Sequence, residues 1–107
     1  FATRYLVNDT CVALGKTLVY GSILKYEGQL AVFNHKGSKN LRDLFPEPPN
    51  PKDVPNCNLN GVMGTLPGII GTMMAHETLK LIMNLPILKN ELVLFNTLNW
   101  SFNKLKF

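Results

Sequence analysis

Asn56-Cys57-Asn58-Leu59-Asn60-Gly61-Val62-Met63-Gly64-Thr65 runs directly into Leu66-Pro67-Gly68-Ile69-Ile70-Gly71-Thr72-Met73-Met74-Ala75-His76-Glu77-Thr78-Leu79-Lys80-Leu81-Ile82-Met83. The first half is a polar loop of Asn and Gly with a single thiol. The second half carries the strongest helical signal in the chain. Pro67 suits a first turn, where its missing N–H has no partner to lose, and Thr65 stands where an N-cap would fall. Apolar residues occupy nearly every face from Leu66 to Ile82, which predicts a helix buried on most sides. Gly68, Gly71 and Ala75 form a strip of small residues that would let another backbone approach. Asn84, or the pair Leu85-Pro86, should end the helix, because a residue before proline avoids helical dihedrals.

Outward from this segment the chain is short. Its 107 residues allow at most one domain, and 46% hydrophobic content excludes wholesale disorder. No run of about twenty apolar residues is free of charge, so no membrane span is expected. A net charge of +4 is too small to argue for nucleic-acid binding. Lys36, Lys39 and Arg42 read as a solvated loop, and Lys104 and Lys106 as the outer face of a strand. Two cysteines make no disulfide framework and fit a reducing, cytoplasmic setting. The chain opens at Phe1, within a helical pattern, which reads as a fragment of something longer.

Phe1 to Leu14 has helical spacing, with Tyr5, Leu6, Cys11, Val12 and Leu14 as the apolar stripe and Arg4, Asn8 and Asp9 facing elsewhere. Gly15 is placed to close that helix, and Cys11 reads as a small buried hydrophobe. Thr17 to Leu24 reads as a strand, Glu27-Gly28 as a turn, and Gln29 to Asn34 as a second strand antiparallel to the first. Residues 36–60 have no usable period and five prolines, and a loop of that length tends to be functional. Leu41, Leu44 and Phe45 should pin its first part. Glu91 to Asn96 and Ser101 to Phe107 read as two further strands, the last of uncertain register. The layout is α/β, with antiparallel strand pairs and two main helices in one partial domain spanning 1–107.

Cys57 is the one nucleophile worth singling out. A thiol acts when it is accessible and partly ionised, and a helix N-terminus just downstream would favour thiolate. His35 and His76 are distant in sequence, and His76 suits a helix surface. Two Cys and two His at these spacings match no zinc pattern. The glycines at 61, 64, 68 and 71 do not follow a strand as a dinucleotide loop would.

Several pieces, in order, resemble a known family: Arg4-Tyr5-Leu6-Val7-Asn8-Asp9-Thr10-Cys11, Glu27-Gly28-Gln29-Leu30-Ala31-Val32-Phe33, Leu44-Phe45-Pro46-Glu47-Pro48-Pro49, Cys57 with Gly61-Val62-Met63-Gly64, Gly68-Ile69-Ile70-Gly71-Thr72, and Glu77-Thr78-Leu79-Lys80-Leu81-Ile82. Together they resemble the C-terminal half of the ThiF/MoeB/HesA family, relatives of the ubiquitin-activating enzymes. The resemblance implies part of a Rossmann-like activating-enzyme fold with a mixed sheet. It implies a parent that adenylates the C-terminal carboxylate of a ubiquitin-like sulfur carrier with ATP and Mg2+, for thiamine or molybdopterin synthesis, and a homodimer. On this likeness Cys57 is the catalytic thiol, and Arg4 and Asn8 lie near the channel for the carrier tail. A surface ion pair and ordinary helix polarity explain Arg4 and Asn8 equally well.

The ATP loop, the nucleotide-binding basic residues and the magnesium aspartate of the family lie upstream of Phe1, so the fragment alone is expected to be inactive. Asn40-Leu41-Arg42-Asp43 stands where many members carry the first Cys-x-x-Cys pair of a zinc site, and no second pair follows. Zinc is therefore not expected. Two other classes stay open: a non-catalytic docking or dimerisation module for a ubiquitin-like partner, and an ATP-independent thiol sulfurtransferase.

Overall fold

A computed structural model describes residues 2–48, 50 and 62–107. Cys57 lies outside them. Helix α1 spans Ala2–Ala13, strand β1 Leu18–Leu24 and strand β2 Glu27–Phe33. A four-residue helix α2, Leu41–Leu44, follows, then the long helix α3, Leu66–Ile82, and strands β3, Glu91–Asn96, and β4, Ser101–Lys106.

Both main helices close in the same way. Gly15, at φ 64°, sits just past α1, while Lys16 N–H reaches back to the Cys11 carbonyl at 2.7 Å. Asn84, at φ 57°, sits just past α3, and Leu85 N–H reaches the Lys80 carbonyl at 2.9 Å. A left-handed residue after the last turn lets these N–H groups satisfy carbonyls that would otherwise lack partners. At the other end of α3, Thr65 is the N-cap residue but its side chain makes no capping bond.

The four strands form one sheet in the order β1-β2-β3-β4, with every neighbouring pair antiparallel. Two isolated parallel bridges, Lys25 with Val62 and Val32 with Lys89, join the flanking segments to it. Leu24 pairs with Glu27, so the first hairpin turns at Lys25-Tyr26, with Lys25 at φ 56°. The turn expected at Glu27-Gly28 is thus two residues early, and both belong to β2. β4 runs in register from Ser101 opposite Asn96 to Lys106 opposite Glu91.

The period of two divides the sheet into two faces. Leu30, Val32 and Val93 pack with Leu88 and partly buried Met73, Met74 and Leu81, under α3. Leu66, Ile70 and Phe95 extend that layer toward the hairpin tips. On the opposite face Tyr20, Ala31, Phe33 and Leu92 pack with Tyr5 of α1 and Leu41 of α2. β2 is covered on both sides, which explains its run of fully buried residues from Leu30 to Phe33.

Three expectations change. First, α3 is covered on one side only. Leu66, Ile70 and Glu77 are buried, while Leu79, Ile82 and Met83 are exposed, because among the described residues the sheet is the one large neighbour of the helix. The strip Gly68, Gly71, Ala75 faces outward, and a Cβ at Gly68 or Gly71 would meet nothing described within 4 Å. The close approach is on the other side of the helix, over Gly21 and Gly28. Second, the buried stripe of α1 is Tyr5 and Asn8 rather than Leu6, Val12 and Leu14, which are exposed. The α2 backbone lies against Asn8 and recruits it by hydrogen bonding. Third, the stretch 36–60 contains α2, ordered by a capping box. Asn40 accepts from Arg42 N–H at 2.9 Å, and Asp43 accepts from Asn40 N–H at 2.8 Å.

Candidate functional site

Of the three residues singled out from sequence, Arg4 and Asn8 are described and Cys57 is not. One turn of α1 separates Arg4 and Asn8, yet they serve different places. Arg4 is half-buried and lines a groove of about 230 Å3 along the outer edge of β1, with Gly21, Ser22, Pro67, Ile70 and Met74. α1 and α3 both overhang that edge. A second depression of about 190 Å3 continues it past Arg4, Val7 and Val19.

Asn8 is 1% exposed and points at α2. Its Oδ1 accepts from Leu41 N–H at 3.0 Å, and its Nδ2 donates to Asn40 Oδ1 and to Asp9 Oδ1, each at 3.3 Å. Thus every polar atom of this amide is engaged within the chain, and it supplies α2 with a partner for one of its unpaired N–H groups.

Beside Asn8 stands a cluster that sequence reading did not assemble. Arg42 forks onto Asp9, Nε to Oδ1 at 2.8 Å and Nη2 to Oδ2 at 2.9 Å. Its guanidinium carbon lies 4.8 Å from the centre of the Tyr5 ring. Nη1 donates to the Pro46 carbonyl at 3.3 Å, and the Tyr5 hydroxyl donates to the Phe45 carbonyl at 2.7 Å. Hydrogen bonds from Arg42 hold the Asp9 carboxyl below the usual carboxylate range and, from the other side, raise the Arg42 guanidinium. Burial raises the Tyr5 hydroxyl above its usual value, which keeps it a donor; Arg42 opposes that shift and Tyr20 adds to it. The only advance signal was the helical spacing that placed Tyr5 inward. Nothing local pairs Asp9 with a residue 33 positions away.

A third feature lies at the far edge. Phe95 stacks on Phe102 at 4.5 Å between centroids, and Trp100 leans on Phe95 at 6.0 Å. Phe95 is buried, but Trp100 and Phe102 are 67% and 59% exposed, and Leu98 beside them is 71% exposed. Trp100 has φ 57°. A bulky residue rarely adopts that conformation, and it persists here within a tight turn. The turn is held by Asn96 Oδ1 accepting from Leu98 N–H at 2.8 Å, and by Thr97 tied to the Tyr26 carbonyl of the other hairpin. On the sheet face opposite α3, Ser22, Gln29 and Asn103 floor an open trough of about 210 Å3.

Among the described residues no group of three or more His, Cys, Asp or Glu stands close enough to hold a metal ion. None of their helices is long and apolar enough to cross a membrane. Where the resemblance would place the first zinc cysteines, Asn40 and Asp43 spend their side chains on each other's backbone end of α2.

An antiparallel sheet with α3 on one face and α1 and α2 on the other, matched along its whole length, defines the class: the chain belongs to the ThiF family, over residues 1–107. It is 51% identical over 106 residues to the adenylyltransferase and sulfurtransferase MOCS3 of Culex quinquefasciatus, covering 98% of this chain and 24% of that protein. It is 46% identical over 111 residues to the sulfur carrier protein adenylyltransferase of Thermus thermophilus, covering 98% and 41%. A probable molybdopterin-synthase adenylyltransferase of Pyropia yezoensis is 44% identical over 108 residues, covering 99% and 29%. The chain therefore spans between about a quarter and two fifths of these relatives. The fold is shared with E. coli MccB, in its crystal structure with MccA, at a TM-score of 0.73 and 10% identity, covering 99% of this chain and 33% of that one.

Proposed function

We propose that this chain is the carrier-docking part of an adenylyltransferase that activates the terminal carboxylate of a ubiquitin-like sulfur carrier, in the molybdopterin branch. The observation that carries it is the 46% identity, over nearly the whole chain, to a protein named as a sulfur carrier protein adenylyltransferase; the branch rests on the 44% identity to one named as a probable molybdopterin-synthase adenylyltransferase. The chemistry needs two steps. A carboxylate oxygen of the carrier attacks the α-phosphorus of ATP and pyrophosphate leaves; a sulfur nucleophile then attacks the acyl carbon and AMP leaves. A free carboxylate is a poor electrophile, and the mixed anhydride with AMP supplies the leaving group. ATP and Mg2+ would be handled by residues outside this chain, in a cytoplasmic, homodimeric parent.

Within that reading Cys57 is the thiol that meets the activated carrier. Arg4, lining the groove beside β1, is suited to the carrier's acidic terminus, since a guanidinium presents a fork to carboxylate. Asn8 would contribute by placing α2 against α1. Trp100 and Phe102 form an exposed aromatic surface of the kind that supplies interface anchors.

Carrier-dependent exchange of labelled pyrophosphate into ATP, measured on the whole protein with its carrier, tests the activity. Absence of exchange while the carrier still binds would instead favour a docking module. Thiocarboxylate formation after Cys57→Ser tests the thiol separately.

A further inference from the structure

We infer that the outer face of α3 is a contact between two copies of this chain. The two helices lie antiparallel about a two-fold axis at Ala75, with Leu79 of one copy seated over Gly71 of the other and Ile82 over Gly68. The inference deepens the proposed function and rests on its homodimeric parent.

α3 has 17 residues and so runs for about 25 Å. Its exposed positions, from Pro67 to Ile82, include no Asp, Glu, Lys or Arg. The two charged residues of the helix, Glu77 and Lys80, lie on the covered half and pair with each other. A solvated helix face ordinarily carries charge. This one carries Leu79, Ile82 and, just past its end, Met83, which are 57%, 72% and 64% exposed. With Leu85 they leave on the order of 400 Å2 of apolar surface, the size at which a patch on a soluble protein marks a contact site. The threonines and small residues between them bring the face toward the roughly 800 Å2 per partner that a standard interface takes.

The order of sizes along the helix says what covers it. Small residues occupy the first half of the face, Gly68, Gly71 and Ala75, and large ones the second, Leu79 and Ile82. The steps between these five are three, four, four and three residues, the same from either end. Two such helices turned head to tail about Ala75 therefore bring each large side chain opposite a glycine of the other copy. Both copies then use the same patch, as a two-fold contact requires. Steps of three and four also form the ridges and grooves by which helices interlock. A Cβ added at Gly68 or Gly71 meets nothing described within 4 Å, so no packing among the described residues requires glycine there. Glycine weakens a helix interior relative to alanine; the room it leaves outside is what a large side chain from a second copy fills.

The test is sedimentation of the whole protein over a dilution series, together with oxidative cross-linking of cysteine variants relative to the unsubstituted protein. Leu79→Glu puts a carboxylate from each copy into the seam without a partner and should raise the dimer Kd by about a hundredfold or more. The melting temperature of the chain itself should change little, because Leu79 is exposed within it. Ala75→Cys brings two thiols together on the axis and should oxidise to a covalent dimer, since a disulfide needs α-carbons within roughly 4.4–6.8 Å. Ile82→Cys, roughly 20 Å from its counterpart in this arrangement, should not. A dimer that survives Leu79→Glu, or cross-linking no faster at Ala75→Cys than at Ile82→Cys, overturns the seam and leaves a homodimer built on another surface. A lower melting temperature in Leu79→Glu without dissociation also overturns it, since that puts another segment of the same protein on this face. A parent that sediments as a monomer overturns the homodimer as well. Pyrophosphate exchange by the parent is read separately, so loss of the seam is not mistaken for loss of the adenylyltransferase.

Discussion

Gly28 shows how much a single residue depends on its neighbours. Next to Glu27 it looks like a turn glycine, yet it lies inside β2 with α3 directly above. A Cβ there would stand 2.6 Å from Ile70 Cγ1, and closer still to Cδ1. At Gly21 the obstruction is mainly the flexible end of Met74. Gly28→Ala should therefore destabilise by about 1–3 kcal/mol, the usual cost of overpacking, and Gly21→Ala by less. Urea unfolding of the two variants checks the order, and equal midpoints would refute the packing account. Asp9 offers a pH test. Its folded pKa is lowered by Arg42, so its contribution is present above the unfolded value of about 3.9 and fades as pH falls through the lowered folded value. Asp9→Asn should lower the melting temperature at pH 7 and converge with the parent well below pH 4. Because the pair is exposed and screened, the pH 7 difference should shrink in high salt.

At the scale of elements, α3 is fastened to the chain that follows it by one buried carboxylate. Glu77 is 4% exposed; it accepts from Leu88 N–H at 3.1 Å and from Lys80 at 2.5 Å. This bond holds the Leu85–Leu88 connection under the sheet layer that Leu88 completes. Glu77→Ala strands that N–H and should cost about 2 kcal/mol. Amide exchange at Leu88 should speed up more than exchange at the centre of β2, and uniform acceleration would mean the bond is not local in effect. Helix α2 illustrates the opposite case, a short element that periodicity cannot reveal. Four residues give no helical period, and α2 exists because Asn40, Asp43 and Asn8 together satisfy its N-terminus. The Asn40-x-x-Asp43 spacing, that of a capping box, is the local sign of it.

For the whole molecule, the sheet has two unlike edges. β4 is exposed along most of its length and carries Phe102 beside Trp100. In the parent protein, Trp100→Ala and Phe102→Ala should each weaken carrier binding by about 2 kcal/mol, or roughly thirtyfold in Kd, with little change in melting temperature. Titration calorimetry with the isolated carrier checks this, and unchanged affinity in both variants would move the docking surface elsewhere. The two main helices, the four strands, their order and the antiparallel pairing within each hairpin were legible from residues close in sequence: the apolar run Leu92 to Phe95, the helical run after Pro67, Gly15 and Asn84 as stops. These depend on local sterics and hydrogen bonding, which a one-dimensional pattern carries. Which face of α3 is covered, what Gly28 makes room for, and why Asn8 is buried could not be read that way. Each is decided by partners far along the chain, Ile70 over Gly28 and Leu41 against Asn8, which meet only once the sheet and helices have packed.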